Sequence, residues 1–386
     1  MAGSVLFRVR LHGDPRIDDV ARRGLSLSNA YAASPVCSPS RASLLSGKYP
    51  ARVGVTQYIG GHTVGRLADV PYFRELPQNE FSLARALKAG GYRTWHVGKW
   101  HLGEKLCWPE NHGFDVNIGG CDLGHPPSYW SPYGIPNLPD GPDGEYLTDR
   151  LTDEAVRLIK EPGDEPFFLN LWHYAVHTPI QAPADLVAKY ERKAADMRRV
   201  VEPLEAGEHF PTWEKSDERV MRRTIQSHPG YAAMIENLDT NVGRVIDALA
   251  EAGTLDNTVV IFTSDNGGLS TAEGSPTTNL PLAEGKGWMA DGGVRVPFIV
   301  TWPKGELAGG WSESMLTSPD LYPTLLTVAG LDQRPEQHID GSDVLDHWKA
   351  GRGDRGPVFW HYPHYSNQGD AGVRRPRRCT EARPLL

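Results

Sequence analysis

The sequence has few cysteines and no long apolar run. Only 4 cysteines occur among 386 residues (Cys37, Cys107, Cys121 and Cys379), and their irregular spacing excludes a disulfide framework or a zinc site of paired C-x-x-C motifs. No apolar stretch approaches the roughly 20 residues that cross a bilayer, so we expect no membrane span. The segment Met1 to Pro15 also lacks the apolar run and cleavage site of a signal peptide. The localisation therefore stays unknown.

The chain also lacks a strong excess of charge of either sign. Lysine and arginine total 40 and aspartate and glutamate 48, which gives a net charge of −8 and disfavours a nucleic-acid partner. Hydrophobic residues make up 39% and charged residues 23%, which excludes a disordered or coiled-coil chain. The length predicts two or three structural units. The 41 glycines and 31 prolines predict long functional loops.

Short apolar runs alternate with segments of helical periodicity along the chain. This order predicts an α/β fold with a mostly parallel central sheet flanked by helices. Helices are predicted over 82–89, 147–159, 231–252 and 320–328, and strands over 92–97, 166–172, 258–263 and 296–300. The charge-rich, weakly periodic segment 183–227 is predicted to be a surface excursion.

Polar clusters follow three of the predicted strands, at 98–101, 173–177 and 265–266. In open α/β sheets, ligands bind beyond the carboxyl ends of the strands, where loops converge and helix N-termini favour anions. These clusters are therefore the candidate functional residues.

The segment around Cys37 carries the most specific pattern. Cys37-Ser38-Pro39-Ser40-Arg41 resembles the signature of the sulfatase family, within the alkaline-phosphatase-like superfamily. The resemblance implies the fold of that superfamily and conversion of Cys37 to formylglycine by a formylglycine-generating enzyme. The hydrated aldehyde then supplies the nucleophile. A lone cysteine would instead indicate a small buried hydrophobic residue, but the full signature favours the catalytic interpretation.

Other motifs extend the resemblance over roughly residues 16–365. In Gly98-Lys99-Trp100-His101, the resemblance implies that Lys99 contacts sulfate and that His101 lies beside residue 37. In His177-Thr178-Pro179, it implies that His177 contacts sulfate and is a candidate acid for the leaving alcohol. It further implies that Lys286 contacts the sulfate and the leaving-group oxygen, and that Arg41 stabilises the nucleophile.

Asp265-Asn266-Gly267-Gly268 resembles the metal-binding pair of the family. Hard oxygen ligands suit Ca²⁺, and the resemblance implies a calcium site made by Cys37, Asp265 and Asn266. Asp, Asn and Gly are also common turn residues, which is the alternative interpretation. The apolar first strand and acidic pair of the family are not recognisable here. Ser4 to Leu11 has the composition of a strand but no acidic pair follows it, and Asp18-Asp19 lies in a helix-like segment. We therefore expect weakened calcium binding.

Both ends of the chain depart from the family pattern. We assign residues 1–350 to the catalytic α/β domain and 351–386 to the remnant of a C-terminal subdomain. Within this remnant, the basic segment 370–386 is predicted to be a tail without fold. A truncated or frame-shifted reading frame would produce such ends.

The sequence predicts a sulfuric ester hydrolase whose substrate is an aryl sulfate or a sulfated small molecule or saccharide. Two alternatives stay open. One is a catalytically impaired relative or sulfoglycan-binding protein, and the other is a phosphate or phosphonate ester hydrolase. Six tryptophans near the motif loops could stack on sugar faces or pack in the core, namely Trp95, Trp100, Trp108, Trp130, Trp172 and Trp288.

Overall fold

The computed structural model describes most of the chain, namely residues 11–61, 68, 70–161, 163–197, 202–210, 215–366 and 368–374. Its α-helices are α1 (Pro15–Arg23), α2 (Cys37–Ser46), α3 (Pro50–Val53), α4 (Leu83–Ala89), α5 (Leu147–Lys160), α6 (Ala184–Met197), α7 (Pro229–Glu251), α8 (Asp291–Val294), α9 (Leu321–Val328) and α10 (Leu345–Ala350). Its strands are β1 (Leu25–Tyr31), β2 (Arg93–Gly98), β3 (Val116–Ile118), β4 (Phe167–Trp172), β5 (Leu204–His209), β6 (Arg219–Arg223), β7 (Val260–Thr263), β8 (Phe298–Thr301), β9 (Gly310–Thr317), β10 (Trp360–Tyr362) and β11 (Gly372–Arg374). Across these ranges, no helix is long and apolar enough to cross a membrane.

The central sheet is built in two halves. One half has the order β7-β8-β1-β9 and the other the order β3-β2-β4. β2 pairs in parallel with β3 and β4, and β1 with β9, whereas β8 runs antiparallel to β1 and β7. The prediction of an α/β fold with a mostly parallel sheet is confirmed, although no described strand joins β4 to β7, so the sheet is interrupted there in the part of the chain that the structure describes.

A cavity of about 1090 Å³ lies along the two strand edges at this interruption. β4 lines one side and β7 the other, and Val242, Val245 and Ile246 of α7 cover it. Apolar strands with helices on both faces are normally buried, yet most side chains of β4 and all of β7 are only half-buried here. One end of the cavity reaches polar residues that include Lys99 and Asp265. The cavity therefore extends from the edges of β4 and β7 to the candidate site.

Helices α5 and α7 show how the sequence pattern produces the helical layer. Leu147, Leu151 and Leu158 recur at helical spacing and are all buried, so one face of α5 is apolar. Asn241 of α7 donates to the Asp149 carboxylate at 2.6 Å, which fixes the two helices to each other. These paired helices cover the cavity side of β4 and β7.

The predicted helices correspond to α4, α5, α7 and α9, and the predicted strands to β2, β4, β7 and β8. The segment 183–227 is more ordered than the prediction of a surface excursion suggested. It contains α6 and the β5-β6 hairpin, and Tyr190 of α6 is buried against Ala232 and Ala233 of α7. The sequence did not indicate α6 because this helix buries only a narrow face, so its apolar residues recur with weak periodicity.

The C-terminal hairpin packs onto the catalytic part of the chain. β10 and β11 pair antiparallel, and Trp360 donates from Nε1 to the carbonyl of Ala32 at 2.8 Å. The prediction of a tail without fold is thus wrong for residues 372–374, because pairing with β10 orders them. Residues 375–386, and residues 4–10 of the possible first strand, lie outside the described residues. The division at residue 350 stays a prediction.

A buried ion pair ties this C-terminal region to α9. Arg355 Nη2 lies 2.7 Å from Asp320 Oδ1, and the two side chains are 5% and 0% exposed. The Asp320 carboxylate also accepts from the backbone N–H groups of Thr317 and Ser342. The Asp320 carboxylate is therefore held by one buried cation and two backbone donors.

We expect Arg355→Leu to destabilise the fold, because it leaves the Asp320 carboxylate buried without its cation. Loss of one partner from a buried pair costs about 3–5 kcal/mol in the free energy of unfolding. Urea unfolding followed by circular dichroism measures this loss. The control is Arg352→Leu, which changes a nearby exposed arginine. Equal midpoints for both variants would contradict the prediction.

Candidate active site

Cys37 is the first residue of α2 and lies at the carboxyl end of β1. Its side chain is buried, and the preceding loop is closed by two hydrogen bonds in which Ser40 Oγ accepts from the Ser34 N–H and donates to the Ser34 carbonyl. The first turn of a helix directs free N–H groups and a partial positive charge at whatever lies there. Residue 37 is therefore placed where an anionic atom is stabilised.

The end of β2 brings Lys99 and His101 to the same place. The Lys99 N–H donates to the Trp172 carbonyl at 2.7 Å, so the loop after β2 is fixed to the end of β4. His101 has a φ of 59°, which is uncommon for a residue with a side chain, and its Nε2 lies 2.8 Å from the Ile59 carbonyl. Both side chains are buried. Their positions are thus set by backbone contacts before any ligand binds.

His177 and Lys286 approach from the loops that follow β4 and β7. Lys286 Nζ lies 2.5 Å from His177 Nε2, and the other ring nitrogen, Nδ1, lies 3.1 Å from Thr178 Oγ1. The ring of His125 stacks on that of His177 with a centroid distance of 6.0 Å. The imidazole is therefore held on both edges and on one face.

Arg41 joins the two halves of the sheet. Its Nε donates to Asp265 Oδ2 at 2.8 Å, and its Nη1 donates to the Lys99 carbonyl at 2.8 Å. The guanidinium also lies over the Trp172 ring, 4.6 Å from its centroid. Because Arg41 stands one helical turn after Cys37, the Asp265 carboxylate lies beside the first turn of α2.

The site carries an excess of buried positive charge. Burial alone raises the pKa of the Cys37 thiol, but the charges of Lys286 and Lys99 and hydrogen bonds from His101 and His177 hold that pKa well below its ordinary value. Burial and the charge of Lys286 lower the pKa of His177 to about 4. Within the described parts of the chain, no carboxylate forms an ion pair with either lysine. Such a site favours an anionic ligand.

Glu273 and Gln368 also belong to the site, although the sequence motifs did not indicate them. Glu273 Oε2 accepts from Thr178 Oγ1 at 2.9 Å, and Glu273 Oε1 accepts from Gln368 Nε2 at 2.5 Å. Glu273 is an acidic residue in a loop of Gly, Ser and Thr between two motifs, which is a detectable signal. Gln368 carries no such signal, because it reaches the site through the packing of the C-terminal hairpin.

The residues expected to hold calcium supply only part of a ligand set. Asp265 and Asn266 stand together after β7, but Asp265 Oδ2 is bonded to Arg41. The Asn266 Oδ1 and both ring nitrogens of His173 are buried without a hydrogen-bond partner in the described residues. The same residues contain no group of three or more His, Cys, Asp or Glu that could hold a metal ion. Calcium prefers roughly six to eight oxygens, so the described donors do not by themselves fit it.

The tryptophans divide between the two roles considered. Trp95, Trp100 and Trp108 are core residues. Trp130, Trp172 and Trp288 are half-buried. Trp172 supports Arg41, and Trp288 donates to Thr271 Oγ1 at 3.1 Å. Stacking on a sugar stays a prediction for the half-buried set alone.

A sequence model of the sulfatase family matches residues 7–331. The chain belongs to the sulfatase family. Curated relatives of this sulfatase include the N-acetylgalactosamine-6-sulfatases of Sus scrofa and Homo sapiens. Each is 30% identical, over 90% of this chain and 63% of the relative. This sulfatase therefore spans less than two thirds of the length of those relatives.

Solved structures resemble this sulfatase over most of its length. The crystal structure of Ps i-CgsB is 28% identical and superimposes with a TM-score of 0.71, over 93% of this chain and 75% of that chain. The phosphonate monoester hydrolase of Agrobacterium radiobacter is 20% identical with a TM-score of 0.62, over 92% of this chain and 77% of that chain. The second likeness shows the fold alone.

We expect Gly98→Ala to displace Lys99 and His101. Gly98 has a φ of 100°, and a Cβ there would lie 2.1 Å from the Trp172 carbonyl oxygen, so the junction of β2 and β4 must open. The control is Gly91→Ala, where φ is 87° but no atom lies within 4 Å of the added Cβ. Thermal unfolding should show a loss of several degrees for Gly98→Ala beyond that of the control. Equal losses would show that backbone conformation, rather than the close contact, requires glycine.

Proposed function

We propose that this sulfatase hydrolyses a sulfate monoester through a formylglycine made from Cys37. The observation that carries the proposal is the convergence of Lys99, His101, His177 and Lys286 on this one buried side chain. A sulfate monoester is a stable anion, so its hydrolysis requires cations around the sulfuryl oxygens, a strong nucleophile and a proton for the departing alcohol. The site offers a residue for each requirement.

Residue 37 is suited to carry the nucleophile. It is buried at a helix N-terminus between cationic side chains, which favours an oxygen anion as it favours the thiolate. Converted by a formylglycine-generating enzyme, residue 37 would supply a hydroxyl that attacks sulfur. His101, which contacts residue 37 and is anchored at Ile59, is placed to take up and return a proton there.

Lys99 and Lys286 bind and orient the sulfate. Their ammonium groups come from opposite halves of the sheet and flank residue 37, so charge that develops on the sulfuryl oxygens meets a fixed cation from either side. Arg41 is fixed by Asp265 and by the Lys99 carbonyl, which holds the Lys99 backbone in place. Binding energy is therefore available without rearrangement of the site.

The proton for the leaving alcohol is held by Lys286 and His177 together. His177 has its pKa lowered to about 4 by burial and by Lys286, so its ring is neutral while Lys286 carries the charge. An anion bound between the lysines would offset the charge of Lys286, which is one of the two causes that lower the pKa of His177. The 2.5 Å contact lets either group take up the proton that the other gives to the alcohol.

A sulfated carbohydrate is the proposed substrate class. Curated relatives are N-acetylgalactosamine-6-sulfatases, and a structural relative at 27% identity, Ps i-CgsB, was crystallised in complex with k-i-k-neocarrahexaose. The half-buried Trp130 and Trp288 are candidates for contact with a sugar ring.

Turnover and mass spectrometry test this proposal together. After co-expression with a formylglycine-generating enzyme, we expect the peptide that contains residue 37 to carry an aldehyde, and the protein to cleave aryl sulfate faster than aryl phosphate. Cys37→Ala, purified identically, should lose turnover because no nucleophile can be formed. A thiol at residue 37 in an active preparation would exclude this mechanism, and faster cleavage of aryl phosphate would favour a phosphate ester hydrolase.

The incomplete set of calcium ligands favours a second candidate, a catalytically impaired relative that binds sulfated glycans. With two of the required oxygen side chains in place, we expect calcium to bind weakly, with a dissociation constant of about 10⁻⁴ M or higher. We therefore expect the same midpoint of thermal unfolding in EGTA and in about 10 μM calcium. Magnesium at the same concentration is the control. A calcium-specific rise at 10 μM would show that the ligand set is complete. Glycan binding without turnover at any calcium concentration would favour the impaired relative.

A further inference from the structure

A chain of polar contacts runs from Gln368 through Glu273 to the catalytic lysine. Gln368 donates to Glu273 Oε1 at 2.5 Å, and Thr178 donates from Oγ1 to Glu273 Oε2 at 2.9 Å. Thr178 Oγ1 also lies 3.1 Å from His177 Nδ1, and His177 Nε2 lies 2.5 Å from Lys286 Nζ. Glu273 lies outside the sequence motifs that contain His177 and Lys286.

The number of hydrogens in this chain determines the direction of each bond. A threonine hydroxyl has a single hydrogen, and an ionised carboxylate can only accept. Once Thr178 gives its hydrogen to Glu273, its oxygen can only accept, so the hydrogen between Thr178 and His177 must stand on Nδ1. The Thr178 backbone carbonyl, 3.1 Å from Nδ1, is a second acceptor on the same side.

The other ring nitrogen must then present a lone pair. In a neutral imidazole one nitrogen is protonated and the other accepts, so His177 Nε2 accepts from the Lys286 ammonium at 2.5 Å. In the opposite tautomer, an N–H would face the ammonium hydrogens, and the two groups would repel. The orientation of Lys286 therefore depends on which His177 nitrogen carries the hydrogen.

Glu273 is well placed to remain ionised. Burial raises the pKa of its carboxyl, but the bond from Gln368, the charge of Lys286 and the bond from Thr178 together hold that pKa below its ordinary value. Glu273 also has a φ of 51°, an unfavourable backbone conformation for a side-chain-bearing residue. The surrounding contacts hold the residue in this conformation and aim its carboxylate at Thr178.

We propose that Glu273 is a positioning residue that, through Thr178, fixes His177 as the Nδ1–H tautomer and so directs the Lys286 ammonium towards the bound sulfate. The inference rests on the proposed function for its catalytic consequence. The tautomer itself is a property of the resting protein and can be measured without turnover.

Glu273→Gln is the informative substitution because it keeps the size and the bond from Gln368. The new amide can donate to Thr178 Oγ1, which turns the hydroxyl hydrogen towards His177 Nδ1 and favours the Nε2–H tautomer. Lys286 then loses its acceptor. We expect kcat for an aryl sulfate to fall by about tenfold to a hundredfold, since positioned acid–base groups contribute at least that much, with KM changed less than kcat.

The matched control is Glu284→Gln. Glu284 lies in the same loop region, also has a positive φ of 62°, and pairs with Arg222 at 2.5 Å rather than with the His177 chain. Thermal unfolding of both variants measures any general loss of stability. Thr178→Val removes the hydroxyl but keeps Glu273 and the backbone carbonyl of residue 178. Nδ1–H then retains an acceptor, so this variant should keep the tautomer of the wild type.

The decisive readout is nitrogen NMR of ¹⁵N-histidine protein, in which His177, one of 14 histidines, is assigned by the signal lost in His177→Gln. We expect Nδ1–H in the wild type, in Glu284→Gln and in Thr178→Val, where the backbone carbonyl still accepts from Nδ1, and loss of that tautomer in Glu273→Gln. An Nε2–H wild type, or an unchanged tautomer in Glu273→Gln, would overturn the inference. An inactive wild type with the expected tautomers would instead refute the proposed function and leave this assignment standing.

Discussion

Two buried ammonium groups that form no ion pair with any carboxylate of the described residues are the constraint on which this site depends. Lys99 and Lys286 are 2% and 4% exposed, and burial lowers the pKa of Lys99. Buried charge is costly unless it is compensated. The sulfur of Cys37, whose pKa is held well below its ordinary value, compensates part of it. The N-terminus of α2 adds partial positive charge, so the excess is available to an anionic ligand. Fixed backbone contacts keep the two cations from turning outwards to solvent.

The parts of the fold that sequence could predict are those encoded by near neighbours in the chain. The regular apolar spacing of α5 and the run of apolar residues in β4 need no knowledge of the tertiary structure. The motif residues Cys37 and Lys286 could be named because each stands within a short distinctive segment. The structure then places them together at the carboxyl ends of strands, as expected for an α/β sheet.

The remainder depends on contacts between distant segments. Glu273 and Thr178 are 95 positions apart, and so are Glu273 and Gln368. No local pattern links such residues. The sequence also does not show that β4 and β7 lack a common partner among the described strands, because each has the composition of an ordinary buried strand. Strand pairing depends on both strands, so the sequence of one strand does not predict which strand lies beside it.

The site residues connect the two halves that the described strands of the sheet form. Lys99 and His177 extend from one half and Lys286 and Cys37 from the other, while Arg41 spans the division. A sulfate that binds to both lysines would join the two halves of the sheet for as long as it stays bound. Ligand binding and the free energy of unfolding would then be linked, so an anion bound at the site would also hold the two halves of the sheet together.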